Sequence, residues 1–314
     1  MKLLKRIFRV LLVLFILLNV IAAFHAWKFT HFYAPGSFRN KTPEQMNVLE
    51  KARMLLLGVR ISKSLVRHTP ESRYETVHMT TSNGLQLEGW WTPVAASKGT
   101  VILFHGYGGS KDGPIPEAMY FQTLGYNTLL MDFRAHGNSE GTVCTVGYRE
   151  AEDVMLAYNL VQQKGEKHIV LWGVSMGAAA ILRAVPTYHL HPNKVILECS
   201  FATLTDAVKG RMRAVSLPGT PFSQLLTFWG GIENGFWGFN YNPADYAQSI
   251  TMPALISWGA HDTRVTRQET ISIYKHLGTK KKELVIFEDC GHQSFCRREG
   301  KKWKEHIRKF LAAR

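Results

Sequence analysis

Residues 169–180 read IVLWGVSMGAAA, and this stretch decides the fold. A run of strand-forming residues ends abruptly at Gly173-Val174-Ser175-Met176-Gly177, and a small-residue pattern typical of a helix follows at once. This is the pattern of a nucleophile elbow, in which a serine stands at the tip of a sharp strand-to-helix turn. Glycine on either side permits the turn, because without a Cβ the strand and the helix pack closely around strained backbone. A glycine-rich turn without chemistry has a similar pattern, so the other parts of a site must be found elsewhere.

The chain has 314 residues and a formal net charge of +14. This length buries a full core and suits one large α/β domain with an extension. The positive charge is concentrated in the first nine residues, in residues 39–73 and in residues 297–314. Nucleic acids and anionic lipid surfaces would both attract such a molecule.

The N-terminal segment favours a membrane, rather than a nucleic acid, as the partner of the positive charge. Residues 10–24 form an apolar run that only Asn19 interrupts, and Lys and Arg precede it. Counted from Ile7 to Phe29, the run spans a bilayer, for which about 20 residues suffice. We therefore predict an uncleaved signal anchor over residues 1–29. Basic residues before the span outnumber those just after it, which predicts a cytoplasmic N-terminus and a catalytic domain on the exported side.

Two alternatives remain for this segment. Cleavage near Ala22-Ala23 would make it a signal peptide and the mature protein secreted or periplasmic. A buried core helix is the other alternative, which the basic flank and the terminal position disfavour. The basic residues lack the aromatic interleaving of a nucleic-acid module, so we expect a membrane partner and no nucleic acid.

Residues 30–73 are predicted to be a basic connector. Pro35-Gly36 breaks any helix, and residues 44–66 then show apolar positions at helical spacing with Lys and Arg on the other faces. Such a helix lies on a lipid surface or packs against the main domain with a solvated charged face. The sequence leaves both possibilities open.

From residue 74 onward, strand and helix patterns alternate. Strands are predicted over residues 75–80, 85–92, 100–104, 127–132, 169–173, 194–198, 254–258 and 283–287, and helices over residues 116–125, 148–163 and 301–313 and directly after the elbow. Alternation of this kind predicts an α/β fold over residues 74–314, with a mostly parallel central sheet flanked by helices. Sites in such sheets form at the carboxyl ends of the strands.

Residues suited to acyl-transfer chemistry fall at those strand ends. The glycine-rich loop at residues 105–109 leaves N–H groups free, and those of Tyr107 and Met176 are predicted to form an oxyanion hole. Asp262 and His292 follow later strands, so the order along the chain is Ser175, Asp262, His292. A histidine that takes the serine proton and an aspartate that holds the imidazole would make the hydroxyl a nucleophile.

Other residues compete for these roles. Glu198 also follows a strand and is an alternative acid partner, although Asp262 fits the motif better. His105 and His136 end strands too, and we expect them to brace loops through hydrogen bonds. No metal-ligand spacing, phosphate loop or dinucleotide motif is present in the sequence, so we predict neither a metal site nor a cofactor.

The stretch from about residue 74 to the C-terminus resembles the α/β-hydrolase superfamily. Within it, the sequence is similar to serine hydrolases grouped with monoacylglycerol lipases, serine aminopeptidases and membrane-tethered palmitoyl thioesterases. The motifs that carry the resemblance are HGYGG (105–109), DFRAHGNSEG (132–141), GVSMG (173–177), GAHD (259–262) and GH (291–292). The resemblance implies a serine hydrolase with a Ser-Asp-His triad, but it does not choose the substrate, because this fold hosts many reactions.

We expect a monomeric serine esterase that cleaves lipid-like carboxylic esters through an acyl-enzyme intermediate. A thioesterase, an aminopeptidase and an inactive binding protein on the same scaffold are the alternatives. Residues 203–248 are rich in aromatic residues, Gly and Pro, and we predict a lid over an apolar acyl chain, with simple packing of an insertion as the alternative. In an exported domain, Cys290 and Cys296 are candidates for a disulfide that fixes the loop of His292.

Overall fold

The computed structural model describes residues 1–38, 40, 41 and 45–313. Arg39 and Glu44, at the starts of the predicted basic segment and connector helix, and Arg314, at the end of the basic C-terminus, lie outside the described residues. The first element, α1 (Lys2–Thr30), covers the predicted anchor. Among the described residues it is the one helix long and apolar enough to cross a membrane. Most of its large apolar side chains are exposed, and only Ala22, Ala26 and Thr30 are buried.

The connector contains a shorter helix than the sequence pattern predicts. Helix α2 (Val48–Leu57) begins with a capping box between Asn47 and Glu50 and ends at Gly58, whose φ of +73° a helix cannot continue. None of its residues is buried, and three apolar side chains are 78–85% exposed: Val48, Leu49 and Leu56. The structure thus does not show this helix packed into the main domain.

Eight strands form one sheet in the order β1-β2-β4-β3-β5-β6-β7-β8. The first two strands are antiparallel to their neighbours, and the remaining pairs are parallel. The strands are β1 (Glu75–Thr80), β2 (Gln86–Thr92), β3 (Thr100–Phe104), β4 (Asn127–Met131), β5 (Ile169–Val174), β6 (Lys194–Glu198), β7 (Ala254–Gly259) and β8 (Lys282–Phe287). The predicted strands are all confirmed, with ends within one residue.

Helices cover both faces of this sheet. One face carries α4 (Glu150–Gln163), α5 (Met176–Thr187) and α9 (Arg267–His276). The other carries α3 (Ile115–Thr123) and α11 (Gly300–Ala312), with Phe121 and Trp303 in its core. The central strands are buried along their whole length, as expected for parallel strands with helices on both sides.

The segment 203–248 is more regular than its composition indicated. It contains α6 (Leu204–Ala214), α7 (Phe222–Glu233) and the short α8 (Pro243–Tyr246), where the sequence pattern had predicted no regular elements. Helix α7 is apolar on most of its surface, so it lacks the one-sided periodicity by which a helix is recognised. A four-residue helix, α10 (Phe295–Arg298), precedes α11.

Helix α7 packs against α1. Ala26 of α1 faces Gly230 of α7, where a Cβ added to the glycine would lie 4.0 Å from that of Ala26. The indole N–H of Trp229 donates to Asn19 Oδ1 at 3.1 Å. Beyond the helix, the N–H of Phe32 donates to Thr142 O at 2.7 Å. The end of the apolar helix is therefore part of the folded domain.

A buried ion cluster joins the loop after β3 to the loop after β4. The Lys111 ammonium and the Asp132 carboxylate form an ion pair, and both side chains are completely buried. Glu88 lies 2.8 Å from the same ammonium. Asp132 also accepts the N–H groups of Lys111 and Asn138, at 2.6 and 2.9 Å. These contacts fix the glycine-rich loop at residues 105–109 relative to the sheet.

Lys111→Met is expected to lower the free energy of unfolding by about 3–5 kcal/mol, because it leaves Asp132 charged and buried without its cation. Lys164→Met is the matched control, since Lys164 pairs with Glu75 near the surface and such pairs contribute about 0–1 kcal/mol. Urea unfolding of both variants measures the difference. Equal losses would contradict the assignment of Lys111 as a buried structural cation.

Candidate active site

Ser175 stands at the turn between β5 and α5 in a strained backbone conformation. Its φ of +53° and ψ of −113° are rare for a residue with a side chain. Its N–H donates to Glu198 O at 2.7 Å, which ties the turn to the neighbouring strand. A Cβ at Gly177 would lie 2.4 Å from Phe104 O, and one at Gly173 would lie 2.6 Å from the Gly177 carbonyl carbon. Both positions therefore require glycine.

The three residues that the sequence singled out lie together at the carboxyl edge of the sheet. His292 Nε2 is 3.0 Å from Ser175 Oγ, and His292 Nδ1 is 2.8 Å from Asp262 Oδ2. The other oxygen of Asp262 accepts the N–H groups of Arg264 and Val265 at 2.8 and 2.9 Å. This carboxylate is thereby held in one orientation, and it aligns the imidazole with the serine.

The environment of Asp262 keeps it ionised. Burial alone would raise the pKa of its carboxyl, but the hydrogen bond and charge of His292 and the two backbone N–H groups outweigh that cost and lower the pKa below its ordinary value. A carboxylate that stays charged beside the imidazole stabilises the imidazolium that forms when His292 takes a proton.

Tyr107 and Met176 border the small pocket that also contains Ser175 and His292. Within the part of the chain that the structure describes, neither residue's N–H donates to a protein oxygen. Two free N–H groups beside a serine hydroxyl can stabilise an oxyanion formed there. The first N–H groups of a helix have no partner within that helix, which explains why the one of Met176 is available.

His105 and His136 brace the loops, as expected from the sequence. His136 Nε2 accepts the N–H of Gly108 at 3.0 Å, while Nδ1 lies 2.8 Å from Arg134 O. His105 Nε2 accepts the N–H of Phe133 at 3.2 Å. Burial lowers the pKa of His105 to about 4 and that of His136 to about 3, so both rings are neutral and able to accept these bonds at pH 7.

Glu198 lies below the elbow, between two tryptophans. The indole N–H groups of Trp172 and Trp303 donate to its Oε1 at 3.0 and 2.7 Å. Burial raises the pKa of its carboxyl to about 8, with a further increase from the charge of Glu117, although the tryptophan hydrogen bonds oppose the shift. Asp262, rather than Glu198, is the carboxylate that contacts His292.

Cys199 adds a thiol to this region. Its sulfur and the ligand atoms of Asp262 and His292 lie within 4.8 Å of one another. Burial raises the pKa of the Cys199 thiol well above its ordinary value. Cys290 and Cys296, the two candidates for a disulfide, are both free thiols in the structure.

Two residues contact the glycine-rich loop at residues 105–109, and no sequence pattern indicated that they would. The ring of Phe29, in the last turn of α1, stacks on that of Tyr107 with centroids 4.8 Å apart, and the Tyr107 hydroxyl donates to Phe29 O. The Arg211 guanidinium lies 4.7 Å from the centre of the Tyr107 ring. These contacts join segments about 80 and 100 residues apart, and no local motif marks them.

Comparison with known proteins supports the fold. A family model described as alpha/beta hydrolase fold matches residues 99–216. The esterase Pf2001 of Pyrococcus furiosus is 27% identical, and the match covers 81% of this chain and 97% of the esterase with a TM-score of 0.67. These matches place the fold in the α/β-hydrolase superfamily. The fold of the chain, with a mostly parallel sheet flanked by helices, and its enzyme class are confirmed.

More distant relatives extend the comparison. The uncharacterized protein YqkD of Bacillus subtilis (strain 168) is 25% identical over 73% of this chain and 76% of its own length. The lysophosphatidylserine lipase ABHD12 of Danio rerio is 27% identical over 62% of this chain, and the match spans about half (51%) of that relative. An esterase- or lipase-like hydrolase is thus the function shared by the characterised neighbours.

The raised pKa of Glu198 predicts how stability depends on pH. The carboxyl has a pKa of about 8 in the folded state and about 4.3 in the unfolded state. Its contribution to the stability of the folded state is therefore full below pH ~4.3 and is lost as the pH rises toward about 8. Glu198→Gln, which keeps an oxygen acceptor for the tryptophans, should flatten this decline and stabilise the protein at pH 8 relative to the wild type. Thermal unfolding between pH 5 and 9 measures the effect. If the stability of Glu198→Gln falls with pH as steeply as that of the wild type, the carboxyl of Glu198 is ionised in the folded protein and the raised pKa is wrong.

Proposed function

We propose that this protein is a membrane-anchored serine esterase that cleaves lipid-like carboxylic esters with the triad Ser175, Asp262 and His292. One observation carries the proposal: the imidazole of His292 lies within hydrogen-bonding distance of both the serine hydroxyl, at 3.0 Å, and the Asp262 carboxylate, at 2.8 Å. Nucleophile, base and orienting acid are the three parts that acyl transfer requires.

In the first half of the reaction, His292 Nε2 takes the proton of Ser175 as the hydroxyl oxygen attacks the ester carbonyl. The carbonyl oxygen becomes an oxyanion and accepts hydrogen bonds from the N–H groups of Tyr107 and Met176. The imidazolium then gives its proton to the departing alkoxide, which leaves as an alcohol. The acyl group remains on the serine oxygen.

In the second half, His292 removes a proton from a water molecule, and the hydroxide attacks the acyl-enzyme carbonyl. The second tetrahedral intermediate collapses, the serine oxygen recovers its proton from the imidazolium, and a carboxylic acid is released. Asp262 keeps its charge throughout and stabilises the imidazolium in both halves. The lowered pKa of Asp262 supports this role.

The ester class is inferred from the pocket and from the relatives. Leu204, Val208 and Phe201 give the pocket beside Ser175 an apolar wall, which suits a hydrocarbon chain better than a peptide. Two of these residues lie on α6, in the predicted lid at residues 203–248. The name of the relative ABHD12, a lysophosphatidylserine lipase, points to single-chain lipid esters. A thioester would react through the same steps, so a thioesterase is the second candidate.

The anchor and its orientation belong to the same proposal. The exposed apolar surface of α1 supports insertion into a bilayer, and the basic residues that precede its core support a cytoplasmic N-terminus with the catalytic domain on the exported side. We further propose that the enzyme acts as a monomer.

Ser175→Ala is expected to abolish labelling by a fluorophosphonate probe and to lower kcat for p-nitrophenyl esters by at least about 10⁴-fold, because the nucleophile is gone. Ser249→Ala, at an exposed serine, is the matched control and should keep full activity. Asp262→Asn should lower kcat by about 10⁴-fold with little change in thermal stability. Labelling or esterase activity that persists in Ser175→Ala would refute the proposed nucleophile.

A further inference from the structure

A large cavity lies between the apolar helix α1, the connector and the lid segment. Its volume is about 780 Å³. Its walls come from the last turns of α1, from α2 and the residues around it, from α6 and α7, and from the loop after β3. We call this space the acyl chamber.

The chamber adjoins the pocket of the serine. Residues that line both the chamber and the small pocket of Ser175 and His292 include Phe29, Tyr107, Val146, Leu204, Val208 and Arg211. Because the same side chains border both spaces, a chain whose carbonyl lies at Ser175 needs only to pass these side chains to enter the chamber. Tyr107, whose N–H is a proposed oxyanion donor, stands at the junction.

The lining of the chamber is mainly apolar. Ala26 and Phe29 come from α1, Met54 from α2, Met212 from α6 and Leu226 from α7. If a methylene occupies roughly the 30 Å³ that a water molecule does, one sixteen-carbon chain needs about 500 Å³ and two need about 1,000 Å³. The chamber therefore has room for one such chain.

The elements that enclose the chamber also reach toward a membrane. An α-helix of 29 residues is about 44 Å long, which exceeds the roughly 30 Å of a bilayer's hydrocarbon core. With the basic first turns at one face of the bilayer, the last turns of α1 would reach the interface at the other face. Helix α2 exposes Val48, Leu49 and Leu56, which suits a helix resting on lipid. A lipid at this interface therefore lies beside the elements that line the chamber.

We infer that the acyl chamber binds the chain of a single-chain, long-chain ester drawn from the membrane, and that the last turns of α1 form one wall of this site. The inference rests on the proposed serine chemistry and specifies its substrate class. The N-terminal helix then serves as a part of the substrate site in addition to its role as an anchor.

A cross-linking experiment on the full-length wild-type protein in lipid nanodiscs tests this arrangement. The probe is a fluorophosphonate with a sixteen-carbon chain that carries a diazirine near its far end. After reaction at Ser175 and illumination, mass spectrometry should find cross-links in residues 25–30 of α1 and in the lining residues of α6 and α7. Cross-links confined to the surface outside the chamber, or to lipid alone, would overturn the inference.

The outcomes separate this inference from the proposed function. Failure of the probe to label Ser175 contradicts the serine chemistry and with it the chamber. Labelling of Ser175 with cross-links elsewhere leaves the esterase proposal standing and refutes the chamber alone.

Chain-length kinetics give a second, independent test. Met212→Trp places a larger side chain in the chamber wall and should lower the ratio of kcat/KM for p-nitrophenyl palmitate over p-nitrophenyl butyrate by at least about tenfold. The same substitution at Met119, an exposed position on α3 that does not line the chamber, should leave the ratio unchanged. A ratio in Met212→Trp equal to that of Met119→Trp would contradict the inference.

Discussion

The close approach of helix α5 to strands β3 and β5 is the constraint on which the rest of the structure depends. Gly177 passes so near the backbone of Phe104 that no Cβ fits between them. That proximity lets the chain turn sharply at Ser175, in a conformation that costs roughly 1–3 kcal/mol and that the surrounding sheet must hold in place. The serine hydroxyl is consequently presented at the sheet edge where the residues after β7 and β8 can reach it.

A second set of interactions holds the glycine-rich loop at residues 105–109 beside that hydroxyl. Arg134 pairs with Asp153 and Glu152, and its carbonyl orients the ring of His136. The same ring accepts the N–H of Gly108, next to the proposed oxyanion donor. Because these groups are buried or partly buried and all are hydrogen-bonded, the loop has little freedom to move. The sequence motif at residues 132–141 is therefore structural, and the chemistry belongs to the residues that it positions.

Local patterns predicted the parts of the molecule that local physics determines. The strands around Ser175, Asp262 and His292 are short, apolar and bounded by glycine, so both their position and the meeting of the three side chains could be expected from sequence. Helix α9 was missed because few of its residues are apolar, although the capping box from Thr266 to Glu269 marks its start. The contacts of Phe29 and Arg211 with Tyr107 could not be predicted from the sequence, because they depend on how α1 and the lid helices pack and not on residues nearby in the chain.

The packing of α1 has a consequence for the anchor itself. Its last turn stacks Phe29 on Tyr107 and receives the tyrosine's hydrogen bond, while Asn19, one-third of the helix earlier, accepts the indole N–H of Trp229. Cleavage after Ala23 would break the contact of Asn19 and remove Ala22 from the surface of α7, yet it would leave a free, charged amino group beside apolar residues that remain attached to the site. A segment that is removed after export gains nothing from a hydrogen bond between Asn19 and Trp229 of the folded domain. The distribution of these contacts on both sides of the possible cleavage point therefore favours a helix that stays joined to the enzyme it supports.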